Sequence, residues 1–367
     1  MRAAVVWVIT AAAALSACSA SSPSEARTST VQASVNACGQ GWTDARAGAQ
    51  RITVHNTDFR AGEAQLINPR TGAVYADVEP IGPGTSVPVR VSLSAGSYAW
   101  RCLMEDEPAI TGATVHVTGS VKGSTPGVVP VSQADLIPAT RAYEKYVRGQ
   151  LPRLITLTDA LRDDIVGGYL TTARRDWLPA HLQYERLGAA YDAFGELDGA
   201  INGLPSGLPG GVHDAKWTGF HRVEYGLWHG QSKTELKPYA DFLATDVRAL
   251  RHQLATTELD PLQISIRAHE ISENALQFEL TGQTNFGSDS NLATVRANLE
   301  GTAEVLRILK GLLVARYEAL PQVDHALDGA EHDIDTHADH ERIDADLGEL
   351  CELLAPIASI LEPRRTS

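Results

Sequence analysis

The sequence has no Lys/Arg-rich block, and its formal net charge is -14 with a pI near 5.3. That balance argues against a nucleic-acid partner and suits a protein that handles cations. After Ala33 no stretch is long and apolar enough to cross a bilayer. No His-Glu-x-x-His or His-x-x-Glu-His pairing occurs, so the clustered histidines of a zinc peptidase are missing. No repeat of fixed period stands out. Cysteine is scarce, four in 367 residues, and the four divide by role rather than into two bridges. The chain is long for one domain, so two are expected.

Met1 to Cys18 begins with Arg2, runs through the apolar Ala3 to Ala14 and closes on Leu15-Ser16-Ala17-Cys18. This is the layout of a signal peptide, too short for a membrane span. The last four residues resemble a bacterial lipobox, which implies cleavage before Cys18 and lipidation of its thiol and new amino group. Several acyl chains together anchor stably where one does not. Residues 19–36 are rich in Ser, Ala and Thr, the composition of a flexible tether.

Across residues 37–119 the apolar period is two. Val87, Val89, Val91 and Leu93 mark one face of a strand, and Arg51 to Thr57, Ala64 to Asn68, Val74 to Val78, Ser97 to Leu103 and Ala113 to Thr118 read as further strands. Six or seven short strands with Gly/Pro turns predict a β-sandwich. Cys38 and Cys102 both fall in it, and an exported compartment permits their disulfide. Cys351, among Leu350, Leu353 and Leu354, reads as a small buried hydrophobe. Residues 120–131, with Gly123, Pro126, Gly127 and Pro130, read as a linker. From 132 to 363 the period is 3.6, with helices expected near 132–149, 151–168, 171–200, 214–230, 234–256, 261–281, 288–320 and 336–361. Short connections between long helices make a bundle.

Chemistry concentrates in Trp217-Thr-Gly-Phe220-His221-Arg222-Val223-Glu224-Tyr225-Gly-Leu227-Trp228. On a helix, Trp217, Phe220, His221, Glu224, Leu227 and Trp228 share one face, and an imidazole with a carboxylate on an aromatic core face calls for a partner cation. The bland alternative is a core His bonded to a core Glu one turn away. On the preceding helix, Leu178, His181, Leu182, Glu185 and Ala189 share a face, so Glu185 also points to the core, with His181 placed to orient it. Asp198 sits among Phe194, Leu197 and Ile201. Farther on, Ile264, Ala268, Ile271, Ala275 and Phe278 form one apolar stripe, Ile266, Leu276 and Leu280 a second. Glu273 falls between them and is preferred to Glu270 for burial. Residues 331–341, dense in His, Asp and Glu, read as a solvated face, with loose scavenging of metal as the alternative.

Taken whole, the motif around His221 and Glu224 resembles that of the imelysin-like domain of EfeO-type iron-uptake proteins, and the β region resembles the cupredoxin-like domain that many of them carry. The fold implied is a cupredoxin-like sandwich followed by an all-α imelysin-like bundle. The resemblance implies that His221, Glu224, Glu185 in Gln183-Tyr184-Glu185, and Asp198 in Leu197-Asp198-Gly-Ala-Ile201 are metal ligands; burial adds Glu273. It further implies an accessory metal site at Glu79 and Cys102, whose thiolate a bridge to Cys38 would remove. One imidazole with four carboxylates suits iron, manganese or zinc better than copper(I). Iron follows from the resemblance alone, and zinc is an alternative occupant in vitro. A blue-copper centre is disfavoured: His55, His116, Cys102 and Met104 are present, but no His lies between Cys102 and Met104. The implied function is capture of ferrous or ferric iron outside the cytoplasm by a membrane-anchored envelope lipoprotein, with delivery to an EfeU-type permease and an EfeB-type haem peroxidase as a further partner. The alternatives are a zinc-dependent peptidase of the imelysin type, for which no general base remains beside the ligands, and a structural envelope lipoprotein without metal.

Overall fold

The computed structural model describes residues 28–43 and 45–364; the signal-like segment and Cys18 lie outside them. Strands β1 (Thr28–Ala33), β2 (Gly48–Asn56) and β5 (Ser86–Leu93) form one sheet, in the order β1-β2-β5. A second sheet runs β4 (Val74–Ile81), β3 (Gly62–Ile67), β6 (Gly96–Met104), β7 (Ile110–Thr111), with β8 (Val115–Val117) also along β6. The alternating apolar residues meet between the sheets: Ile52, Val54, Val91 and Leu93 face Leu66, Ile81, Trp100 and Met104 in one core. Cys38 and Cys102 are joined by a disulfide that pins the segment after β1 to β6. Strand β1 lies inside the stretch expected to be tether. Its Val31 and Ala33 are buried, and it pairs in parallel with β2, so two inward-facing residues hidden in a Ser/Thr-rich run are enough to recruit it.

The linker is tied down along its length. Thr125 exchanges hydrogen bonds with Ser92, Val128 bridges Val74, and Val131 bridges Pro363. Arg316 Nε donates to the carbonyl of Val129 at 2.9 Å, and Arg364 Nη1 lies 3.6 Å from Asp77 of β4. The chain's far end therefore returns to the junction between sandwich and bundle.

The bundle opens with α1 (Gln133–Gly167), started by a capping box of Ser132 with Asp135 and stopped by Gly168 at φ 85°. The break expected between 149 and 151, just ahead of Pro152, is absent. One helix runs through it, because Val147, Leu151 and Leu154 are buried on both sides of the proline and their packing outweighs one lost backbone bond. By contrast the long helix expected over 171–200 divides into α2 (Leu170–Glu185), a 3-10 turn at Gly188–Ala190, α3 (Tyr191–Phe194) and α4 (Glu196–Asn202). Gly195, at φ 56°, turns the chain between the last two. Then follow α5 (Gly219–Trp228), α6 (Lys233–Gln253), α7 (Gln263–Asn274), a π-helical turn at Ala275–Glu279, and α8 (Asn291–Leu313). Helix α9 (Leu320–Asp335) was not expected. Pro321, read as a breaker, sits in its first turn, where a missing N–H costs nothing. Helices α10 (His340–Leu354) and α11 (Pro356–Ile360) close the bundle. Cys351 is buried on α10, and burial pushes its thiol up to about 11, as a small core hydrophobe requires.

Candidate metal centre

Helix α5 is held at its N-terminus by contacts that only glycine allows. Gly219 has φ 87°, and a Cβ there would lie 2.3 Å from the carbonyl oxygen of Ile201 at the end of α4. Around it, Trp217 Nε1 donates to the Gly203 carbonyl at 2.9 Å, Thr218 Oγ1 to that of Ala200 at 3.0 Å, and Trp177 Nε1 of α2 to that of Phe220 at 2.9 Å. So anchored, α5 buries Phe220, His221, Glu224 and Leu227 of the face read from the sequence; Trp217 is buried just ahead of the helix, and Trp228 is half-buried.

Glu224 is 1% exposed, and its two oxygens are treated differently. Oε1 accepts from the backbone N–H of Phe286 (3.0 Å), the N–H of Ser288 (3.0 Å) and Ser288 Oγ (2.5 Å), all on the segment between the π turn and α8. Oε2 lies 3.4 Å from Nδ1 of His221, longer than a good N–H···O bond. A tight His–Glu pair that merely satisfies a core is therefore not what the helix contains. Among the described residues, no hydrogen bond uses Nε2 of His221. Burial holds the His221 imidazole below its ordinary pKa, in the neutral form that can accept a metal.

Glu185, at the end of α2, faces the same region. Its carboxylate takes Nδ2 of Asn202 and Nδ2 of Asn298, each at 2.8 Å, and Nε2 of His181 at 3.0 Å. Burial pushes its pKa up, but the bond and charge of His181 with the Asn298 amide outweigh it, and Glu185 stays below the carboxylate range. His181 shifts the opposite way: burial works against its charge, yet contact with Glu185 raises it. As the sequence suggested, His181 orients Glu185. Its ring stacks on Trp177 and meets that of His221 at 5.1 Å between centroids.

Glu185 and His221 open onto a cavity of about 190 Å³ that Arg267 also lines, while Glu224 and His181 stand behind its wall. Glu185, His221, Asn202 and Asn298 line it together with a carboxylate the sequence reading missed, Glu279. Glu279 is buried and accepts a hydrogen bond from Thr284 Oγ1 at 2.6 Å. Burial and the charge of Glu185 push its pKa up to about 7. Glu273 is not at the cavity: it is half-buried, with His269 at 3.6 Å and the Gln277 amide at 2.9 Å. Glu270 pairs with Arg267 at 2.9 Å. Both lie on α7, ahead of the π turn, which buries Ala275 and Glu279 and leaves Phe278 at 40% exposure. Asp198 is half-buried and one residue removed: it accepts from the hydroxyl of Tyr184 at 2.6 Å, while burial and the charge of Glu185 raise its pKa. Among the described residues, no three His, Cys, Asp or Glu side chains stand close enough to hold one ion as placed. The carboxylates are spent on amide and hydroxyl donors, and must turn from them to meet a cation.

The sandwich offers less. Cys102 is bonded to Cys38, so the accessory pairing of Glu79 with a Cys102 thiolate is lost, and Glu79 is exposed. His55 and His116 are engaged with Ser86 Oγ at 2.8 Å and Ser97 Oγ at 3.0 Å. A blue-copper centre has no thiolate there either. In the 331–341 segment, Glu331 and Asp335 pair with Arg296, and the buried Asp333 with Arg342, so the segment is ion-paired and mostly, though not wholly, exposed.

A helical bundle gathering an imidazole and carboxylates at a cavity between its helices is the class of protein this geometry defines. Residues 139–350 match the peptidase-type family model described as imelysin, and the chain belongs to the imelysin family. The expected EfeO-type kinship is borne out as well. The chain is 27% identical over 332 residues to the iron uptake system component EfeO of Escherichia coli strain K12, covering 86% of each chain. The same identity and coverage hold for EfeO of Shigella flexneri and of Escherichia coli O157:H7.

Proposed function

We propose that this protein is an extracytoplasmic iron-binding component of an iron-uptake system. In this reading it is tethered to the membrane through lipid on Cys18, and the sandwich is a cupredoxin-like domain that holds no copper. It takes up ferrous or ferric iron in the bundle cavity and passes it to an EfeU-type permease, with an EfeB-type haem peroxidase as a second partner. The observation that carries the proposal is the convergence of the buried side chains of Glu185, Glu279 and His221 on one cavity, with Glu224 directly behind His221. Carboxylates collected out of water are costly unless a cation balances them, and oxygen-rich donors with one nitrogen suit iron, manganese or zinc. Ligands held by amides and hydroxyls rather than by each other also suit a carrier, which must let go of its cargo.

Zinc peptidase chemistry has one point in its favour, the approach of the His181 and His221 rings. Nε2 of His181 is already shared by Glu185 and Asn202, and its Nδ1 is buried without a partner. Binding is therefore the better reading. Metal analysis and calorimetry with ferrous iron under nitrogen, or ferric citrate in air, test it. The parent protein is expected to retain about one iron, and Glu224→Ala and Glu185→Ala to lose it at least tenfold while keeping their helical circular dichroism. Unchanged iron content in both variants would sink the proposal, and zinc-dependent peptide cleavage would favour the enzyme.

A further inference from the structure

The segment 281–290 touches the cavity at Thr284 and, beyond its lining, the Glu224 carboxylate beside His221. Thr284 Oγ1 donates to Glu279 Oε2 at 2.6 Å. Phe286 N–H, Ser288 N–H and Ser288 Oγ all donate to Glu224 Oε1. The Phe286 ring lies against His221 at 5.4 Å and Trp217 at 5.0 Å between centroids. The ends of the segment are fixed independently: His340 Nε2 meets the carbonyl of Leu280 at 3.0 Å, and Asn291 Nδ2 donates to that of Glu279 at 2.9 Å. Between them, at Thr281 to Gln283 and again at Asp289, the chain is exposed. Its middle thus rests on two carboxylates and an imidazole face.

We propose that segment 281–290 is a strap that competes with the cargo: a cation entering the cavity takes Glu279 from the Thr284 hydroxyl and, through His221, draws Glu224 from the amide and hydroxyl donors of the strap, which loosens over His221. The inference rests on the metal-binding reading of the cavity. Its physical basis is the limited acceptor capacity of a carboxylate oxygen. Three donors already converge on Oε1 of Glu224, and an ion drawing on that charge weakens each of them. Thr284 and Ser288 are accordingly positioning residues that set how readily the ion leaves. The consequence has an unusual sign, since removing a contact to a ligand should tighten binding. A hydroxyl that merely oriented its carboxylate for the metal would weaken binding when removed.

The test uses the whole chain with manganese(II) as an air-stable probe, followed by ferrous iron under nitrogen. Calorimetry on Ser288→Ala and Thr284→Val is expected to show Kd lowered about three- to tenfold, the loss of one competing hydrogen bond. Hydrogen exchange in 281–290 of the parent is expected to speed up several-fold on loading, a readout that needs no variant to fold. Equal or weaker binding by the variants, or slower exchange in the loaded parent, would overturn the strap while leaving the binding reading intact. A parent that binds neither ion would overturn the binding reading itself.

Discussion

Glu279 is buried close to two other carboxylates, with one hydroxyl as its donor. Its pKa, about 7 in the folded protein against an ordinary 4.5, fixes the sign of a pH effect. An acid that holds its proton more tightly when folded adds stability fully present below the ordinary value and lost as pH climbs to the folded one. The share at stake between about pH 4.5 and 7 is roughly 3 kcal/mol. Urea unfolding of Glu279→Gln is expected to show a flatter dependence over this range than the parent; parallel curves would contradict it. His221, Glu224 and Glu185 were legible from the sequence because a 3.6-residue period and a family motif placed them together. Glu279 was not, since α-helical counting from Ala275 allows either Phe278 or Glu279 inward and the apolar residue was preferred. The π turn selects the other.

At the scale of elements, the site depends on how closely α5 approaches the end of α4. Gly219→Ala places a Cβ against the Ile201 carbonyl and forces a side chain into the left-handed region, so it should destabilise the protein by roughly 2–4 kcal/mol and weaken metal binding. Chemical denaturation with calorimetry checks both, and a variant of parental stability would show that α5 can shift freely. Helix existence was readable from the apolar period, while helix ends were misjudged where Pro or Gly acted against habit. Pro152 is carried inside α1, Pro321 begins α9, and Gly195 splits what looked continuous. In each case burial of the flanking residues or the local φ decided the outcome, and neither can be read from composition.

For the whole molecule, the switch from period two to period 3.6 near residue 131 announced a sandwich before a bundle, and the Cys38–Cys102 bond closes the sandwich upon itself. Cross-linking residues 64 apart removes enough freedom from the unfolded chain to stabilise by about 4 kcal/mol in the chain-entropy treatment. Replacing both cysteines by Ala should therefore lower the unfolding midpoint of the sandwich and leave that of the bundle nearly unchanged; calorimetric scans that moved both equally would mean the two melt as one. The linker between them makes contacts on both sides. Residues 128–131 are threaded between Val74 of the sandwich and Pro363 near the end of the bundle, with Arg364 reaching Asp77. Any partner that grips the sandwich thereby also takes hold of the helical cavity, and turns it as a handle turns a ladle.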